Sequence, residues 1–306
     1  MRFVVEYPVD SDRDDGAWVR PTNIAGFARA AEQTHVYGIA FTDHPAPTRR
    51  WLDAGGHETL DPFAALAFCA ASTSHLRLMT WLTVLPYRNP FITAKSMTTL
   101  DLLSGGRTTF VVGTGYLQPE FAALGVDFTE RNRLFEEAVD VINGVWRGEE
   151  FTRDSPSFAA RGQVLRPRPP QLAPPLWFGG NSAVVRDRVA KVGKGWAPFL
   201  SSAEVAGAAR TTAITTIEGL ADSIEDLSAR LTAVGRDRRE VSVLVGGDQA
   251  FDWRLDQRDR LDRLRQLSRI GVTHVVVSLA GLPYNRALAA LSEIADAHTD
   301  LNKESS

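Results

Sequence analysis

The feature that most restricts the fold is a strict alternation along the chain. Short apolar runs rich in β-branched residues are each followed by a longer stretch in which apolar residues recur at helical spacing. Eight strands are predicted: Arg2 to Tyr7, Gly38 to Thr42, Leu76 to Leu85, Thr108 to Gly113, Leu176 to Gly179, Gly195 to Pro198, Val241 to Val245 and Thr273 to Ser278. The intervening patterns predict helices over about 21–36, 61–73, 91–103, 130–147, 182–192, 218–233, 256–270 and 284–298. Asp61-Pro62 marks one helix start, with a capping side chain before a proline at the first helical position. Repeated strand–helix units build a parallel α/β sheet, and eight of them favour closure into a (β/α)8 TIM barrel over an open doubly wound sheet. A chain of 306 residues holds such a barrel as one domain, assigned to residues 1–299, with 300–306 as a flexible tail.

One segment breaks the pattern. Gly148 to Pro175, inserted between barrel strands 4 and 5, holds six of the 16 prolines, including the run Arg166-Pro167-Arg168-Pro169-Pro170. It is expected to be structureless, and at this length inside a compact domain it reads as a lid over the site or as a surface excursion.

Composition narrows the function classes. Lys plus Arg is 34 and Asp plus Glu is 37, a net charge of -3 with no long block of either sign, which argues against nucleic acid or an anionic membrane as partner. Cys69 is the single cysteine, so an intrachain disulfide and a cysteine-rich metal site are excluded. No apolar run has the length of a membrane span, and the opening residues read as a strand followed by acids, not as a leader. A cytoplasmic location is expected.

In a barrel of this kind the site lies at the C-terminal ends of the strands. After strand 2, Thr42-Asp43-His44 replaces apolar residues with polar ones. His44 there reads as a general acid or base, or as an exposed loop histidine with Asp43 capping a turn. Strand 3 runs from Leu76 toward Pro90 and is too long to end at the barrel rim, so its surplus must bulge into the site or leave it. After strand 4, the glycines of Val112-Gly113-Thr114-Gly115-Tyr116 allow a flat ligand to approach the backbone. Gln118 stands where a dinucleotide fingerprint needs its third glycine. Trp177-Phe178-Gly179-Gly180-Asn181-Ser182 runs from a strand into a helix start, the place for a phosphate, or for a tight turn capped by Asn181 or Ser182. His57 shares the rim with His44 and Asp43, but no metal-binding spacing links them and no metal is expected. Cys69 lies on an apolar predicted helix and reads as packed.

Taken together, these blocks resemble the luciferase-like family of flavin- and deazaflavin-dependent oxidoreductases. They are joined by Trp51 to Pro62, by Ala94-Lys95 with Thr99 to Arg107, by Glu120-Phe121 and by Glu130-Arg131, so the similarity runs over nearly the whole chain. The branch that uses the deazaflavin coenzyme F420 looks closest. The resemblance implies a tricyclic ring stacked on a bulge at the end of strand 3, with a non-proline cis peptide near Thr83-Val84. It also implies Thr114 and Gly115 beside the ring, and Gly179, Gly180 and Asn181 at the coenzyme phosphate. Asp43 and His44 match cofactor-contacting and acid–base positions. The implied activity is hydride transfer to or from a small organic substrate, with FMN-dependent monooxygenation as the alternative and a non-catalytic binding protein as a further one. A homodimer is the family habit. Tyr116 stands where family members acting on sugar phosphates carry an acid, so that substrate class is not expected. Trp51, Tyr116, Trp177 and Trp196 suggest an aromatic-walled pocket, or packing at the rim.

Overall fold

The computed structural model describes residues 1–303 apart from Asp248 and Arg254. Eight parallel strands close on themselves. They are β1 (Arg2–Glu6), β2 (Gly38–Phe41), β3 (Arg77–Val84), β4 (Thr108–Gly113), β7 (Leu176–Gly179), β8 (Gly195–Ala197), β9 (Ser242–Val245) and β10 (His274–Ser278), in the order β1-β10-β9-β8-β7-β4-β3-β2. Each strand predicted from sequence is present. The ring of helices comprises α1 (Pro21–Gln33), α3 (Pro62–Ser72), α4 (Pro90–Leu103), α6 (Arg131–Trp146), α7 (Ala183–Val192), α9 (Ile217–Ala233), α10 (Gln257–Arg269) and α11 (Tyr284–Lys303). Three short helices that the periodicity did not show, α2 (Arg49–Asp53), α5 (Gln118–Ala123) and α8 (Ala203–Ala208), lie in strand–helix connections. The chain is a (β/α)8 TIM barrel.

Alternation along the strands divides the core in two. Phe3 and Val5 pack outward under the helices, whereas Val4 joins Ala40, Met79, Val111, Trp177, Ala197, Leu244 and Val276 inside the barrel. Cys69, fully buried on α3, belongs to the outer layer. Helix starts follow their sequence signals. The Asp61 carboxylate accepts from the Ala64 amide at 2.9 Å ahead of Pro62, and Asn89 accepts from the Phe91 amide at 3.0 Å ahead of Pro90.

Two expectations are corrected. The insertion 148–175 is partly folded, because Phe151–Asp154 (β5) pairs antiparallel with Ala159–Gln163 (β6). Phe151 and Phe158 set their rings 5.9 and 5.3 Å from Phe91 on α4, and the Gln171 amide donates to buried Asp101 at 2.6 Å. Apolar contacts thus hold the segment against the outer side of the barrel, and none of its residues lines the large cavity described below. At the other end, α11 continues to Lys303 with Leu301 buried, so the helix reaches past residue 300, where a tail was expected. The three residues after Lys303 lie outside the described ones.

Candidate active site

The bulge in β3 shapes the barrel mouth. Pairing with β4 runs Thr80 to Phe110 and resumes at Thr83 to Val112, so β3 carries one more residue than its partner between these points. The Trp81–Leu82 peptide inside this step is cis, which corrects the expected position near Thr83-Val84. Trp81 and Leu82 turn over the mouth, where their neighbours have no side chains. A Cβ on Gly113 would lie 2.7 Å from Leu82, one on Gly179 2.4 Å from it, and one on Gly246 2.1 Å from Trp81. These glycines are therefore the seats of an apolar floor made by Trp81 and Leu82.

Above that floor lies a cavity of about 1360 Å³, lined by the ends of β1, β2, β3, β4, β7, β8 and β10 and by the loops beyond them. On its β2 side stands His44. The buried Glu120 carboxylate, carried in by α5, lies 2.9 Å from His44 Nδ1 and also accepts from the Tyr87 hydroxyl at 2.9 Å and the Ala46 amide at 3.0 Å. Burial pushes the Glu120 carboxyl up, but the His44 ring and the two further donors outweigh it, so the net shift is downward and Glu120 stays ionised. A carboxylate at Nδ1 favours the tautomer with its proton there and leaves Nε2 free for chemistry. Three rings surround the imidazole: Trp51 at 4.7 Å, His57 at 5.2 Å and Tyr116 at 5.7 Å between centroids. Burial, with His44 adding to it, lowers His57 to about 4. Tyr116 is pushed up to about 12, again by burial first and Glu120 second, so it is a neutral donor.

The opposite side, over β4, β7 and β8, is cationic. Phe128 lies between Arg131 and Arg210, whose guanidinium carbons stand 4.0 and 5.4 Å from its ring, and neither arginine has an ion pair among the described residues. Arg188 also lines this wall, held by Glu136 at 2.5 Å, and α7 begins there with Ser182 capping the Val185 amide. Among the described residues no group of three or more His, Cys, Asp or Glu side chains could hold a metal ion, and no helix is long and apolar enough to cross a membrane.

The family model for luciferase-like monooxygenases matches residues 1–253. The chain belongs to this family. Among curated relatives of this luciferase-like chain, the F420-dependent glucose-6-phosphate dehydrogenase of Beutenbergia cavernae is 31% identical over 182 residues, which are 58% of this chain and 52% of that one. The FMNH2-dependent dimethylsulfone monooxygenase of Pseudomonas putida is 26% identical over 169 residues, 54% of this chain and 42% of that one. The matches therefore span about half the length of these relatives. The monooxygenase RslO1 from Streptomyces bottropensis superposes with a TM-score of 0.77 at 17% identity, covering 97% of this chain and 98% of its own. That likeness is one of fold.

Within this luciferase-like barrel, His44, Asp43, Val84, Thr114, Gly115, Tyr116, Gly179, Gly180 and Asn181 all border the cavity. Two of them are taken up by the protein itself. Asp43 is buried and accepts from the Val84 amide at 3.0 Å and from both Arg88 nitrogens at 2.5 and 2.8 Å, which ties β2 to the far end of the bulge. The Asn181 side chain donates to the Phe199 and Thr212 carbonyls at 2.8 and 2.7 Å and accepts from the Phe199 amide at 2.8 Å, bracing the loops around the cationic wall. Four expected residues lie elsewhere. Thr83 is fully buried under the bulge and does not line the cavity. Trp177 points into the barrel below the mouth, its ring 5.0 Å from His274. Trp196 faces the opposite side and donates to the Gly180 carbonyl at 2.9 Å under Arg186. Trp51 packs its ring against His44 and His57 and lines a small neighbouring pocket, not the large cavity. The alternation of strand faces could have found Trp81, which has the inward parity of Met79. Nothing in the spacing separates Glu120, Arg131 or Arg210 from ordinary surface charges.

Proposed function

We propose that the chain is an oxidoreductase that binds the deazaflavin coenzyme F420 at the C-terminal mouth of the barrel and transfers hydride to or from a small organic substrate. The observation that carries this reading is the His44–Glu120 pair beside an apolar floor. The residues present fit the coenzyme. Trp81 and Leu82 offer a surface for a flat ring, Thr114 and Gly115 border it, and Arg131, Arg210 and the start of α7 suit an anionic tail. When bound, a reduced deazaflavin supplies a hydride at carbon. The protein then has to position the acceptor, keep water out and hold a proton where charge develops. His44, oriented through Nδ1 by Glu120, presents Nε2 to exchange that proton. The similarity to an F420-dependent dehydrogenase supports the choice of coenzyme.

The experiment that tests it is anaerobic single-turnover oxidation of the reduced deazaflavin in the presence of the protein and a panel of carbonyl and activated alkene acceptors. Recovery of the oxidised absorbance without oxygen supports hydride transfer. Turnover only with reduced FMN and oxygen overturns it in favour of monooxygenation, the second reading, which the similarity to an FMNH2-dependent monooxygenase motivates.

A further inference from the structure

Glu6 is the last residue of β1, and its parity sets its direction. Val4, two residues earlier, lies inside the barrel, so the Glu6 side chain points into the mouth. The next inward positions on the other strands are Thr42, Trp81, Gly113, Gly179, Phe199, Gly246 and Ser278, which makes Glu6 the one ionisable group of that ring. Ala40 and Ser278 pair beside it and carry no charge. Its carboxyl lines the cavity and has no hydrogen-bond or ion-pair partner among the described residues. The other titratable groups sharing this side are already held: Asp43 by Arg88, His44 by Glu120, Asp10 by Arg13 and Glu58 by Ser11. Asp12, Arg49, Asp53 and His57 lie on the loops beyond β1 and β2, and Arg131 and Arg210 lie across the cavity over β4 and β7.

We propose that Glu6 is the specificity-determining residue of the mouth, selecting substrates whose polar group is a cation or a hydrogen-bond donor, amines above all, over carboxylates and phosphate esters. The proposal deepens the hydride-transfer reading of this cavity and rests on it for the word substrate, whereas the binding preference belongs to the protein alone. The physics is that of an uncompensated acid in a low-dielectric site. Burial raises Glu6 to about 7, so near neutrality it is divided between its two forms. An ammonium placed against it favours the carboxylate and supplies the partner the fold does not. An anion keeps the carboxyl protonated at best and is repelled once it ionises.

The test is calorimetric titration of the coenzyme-free protein with cyclohexylamine, cyclohexanol and cyclohexanecarboxylate, which share a ring and differ in charge. The amine is expected to bind at least about tenfold tighter than the carboxylate at pH 8, and Glu6→Gln is expected to remove that advantage. Near pH 7, amine binding to the unaltered protein should release protons, read from titrations in buffers of different ionisation enthalpy, and the release should vanish in Glu6→Gln. Equal affinity for amine and carboxylate overturns the proposal, as does proton release that persists in the variant. The proton count on the unaltered protein stands even if the variant does not fold. Parallel coenzyme titrations separate the two readings, because an amine preference without coenzyme binding removes the hydride reading and leaves Glu6 as a selector.

Discussion

Glu120 holds His44. The carboxylate sits 2.9 Å from Nδ1 and is itself fixed by Tyr87 and Ala46, so the imidazole ring has one orientation and one wall of rings to rest against. Each partner comes from a different strand–helix unit, and the pair exists only because the barrel brings the ends of β2 and β4 to one rim. Replacing His44 by Ala is expected to lower turnover roughly a hundredfold with coenzyme affinity little changed, as measured by single-turnover absorbance and equilibrium titration. Glu120→Gln keeps the size and one acceptor. It should lower turnover by about tenfold and displace the pH profile, a change that a purely structural role would not produce.

The floor gives a second expectation. Gly179→Ala puts a methyl 2.4 Å from Leu82, so that side chain must move up into the cavity. Coenzyme affinity is expected to fall by about tenfold while the melting temperature changes little. An unchanged affinity would mean that no ring rests on Leu82.

Asp43 is expected to matter for stability more than for chemistry. Its carboxylate is buried and bidentate to Arg88, so Asp43→Ala leaves the Val84 amide unpaired and the half-buried guanidinium with only the exposed Asp61 at 3.3 Å. A loss of about 3 kcal/mol in denaturant unfolding is expected.

Stability against pH carries opposing contributions that single variants separate. His57 and His274 have depressed values, about 4 and about 3, so the unfolded chain binds more protons below the ordinary 6.5 and both residues destabilise the fold as pH drops through that window. For His57 the effect between pH 7 and pH 5 is about 2 kcal/mol. Glu6 runs the other way. Its value is raised from 4.5 to about 7, so the folded state holds the proton more tightly and stability falls as pH rises between those values. His57→Gln should therefore make the protein relatively more stable at pH 5, and Glu6→Gln relatively more stable at pH 8, both read by thermal unfolding across pH.

The barrel was legible in the sequence because strands and helices announce themselves by period. Asp61-Pro62 even marks where one helix starts. Strand faces were harder to read, since parallel strands buried on both sides lack a polar alternation. Trp177 and Trp196 are neighbours on paired strands, yet one fills the barrel and the other packs outside it, and neither reaches the cavity. Similarly, the bulge was visible as surplus length in strand 3, but which residues fill the mouth depends on pairing with β4, a long-range fact. Glu120 lies 76 residues from His44 and acquires its role only on folding. The proline-rich insertion misled for a related reason, because its aromatic anchors Phe151 and Phe158 meet a partner on α4 that local composition does not reveal.

The measurement that tests the central claim most directly is a parallel equilibrium titration of the purified protein with oxidised coenzyme F420 and with FMN, followed by ring absorbance and fluorescence. Saturable deazaflavin binding that weakens in Gly179→Ala is expected, with FMN bound at least about tenfold more weakly. Preferential FMN binding would contradict the deazaflavin assignment, and binding of neither would remove the cofactor from the cavity altogether.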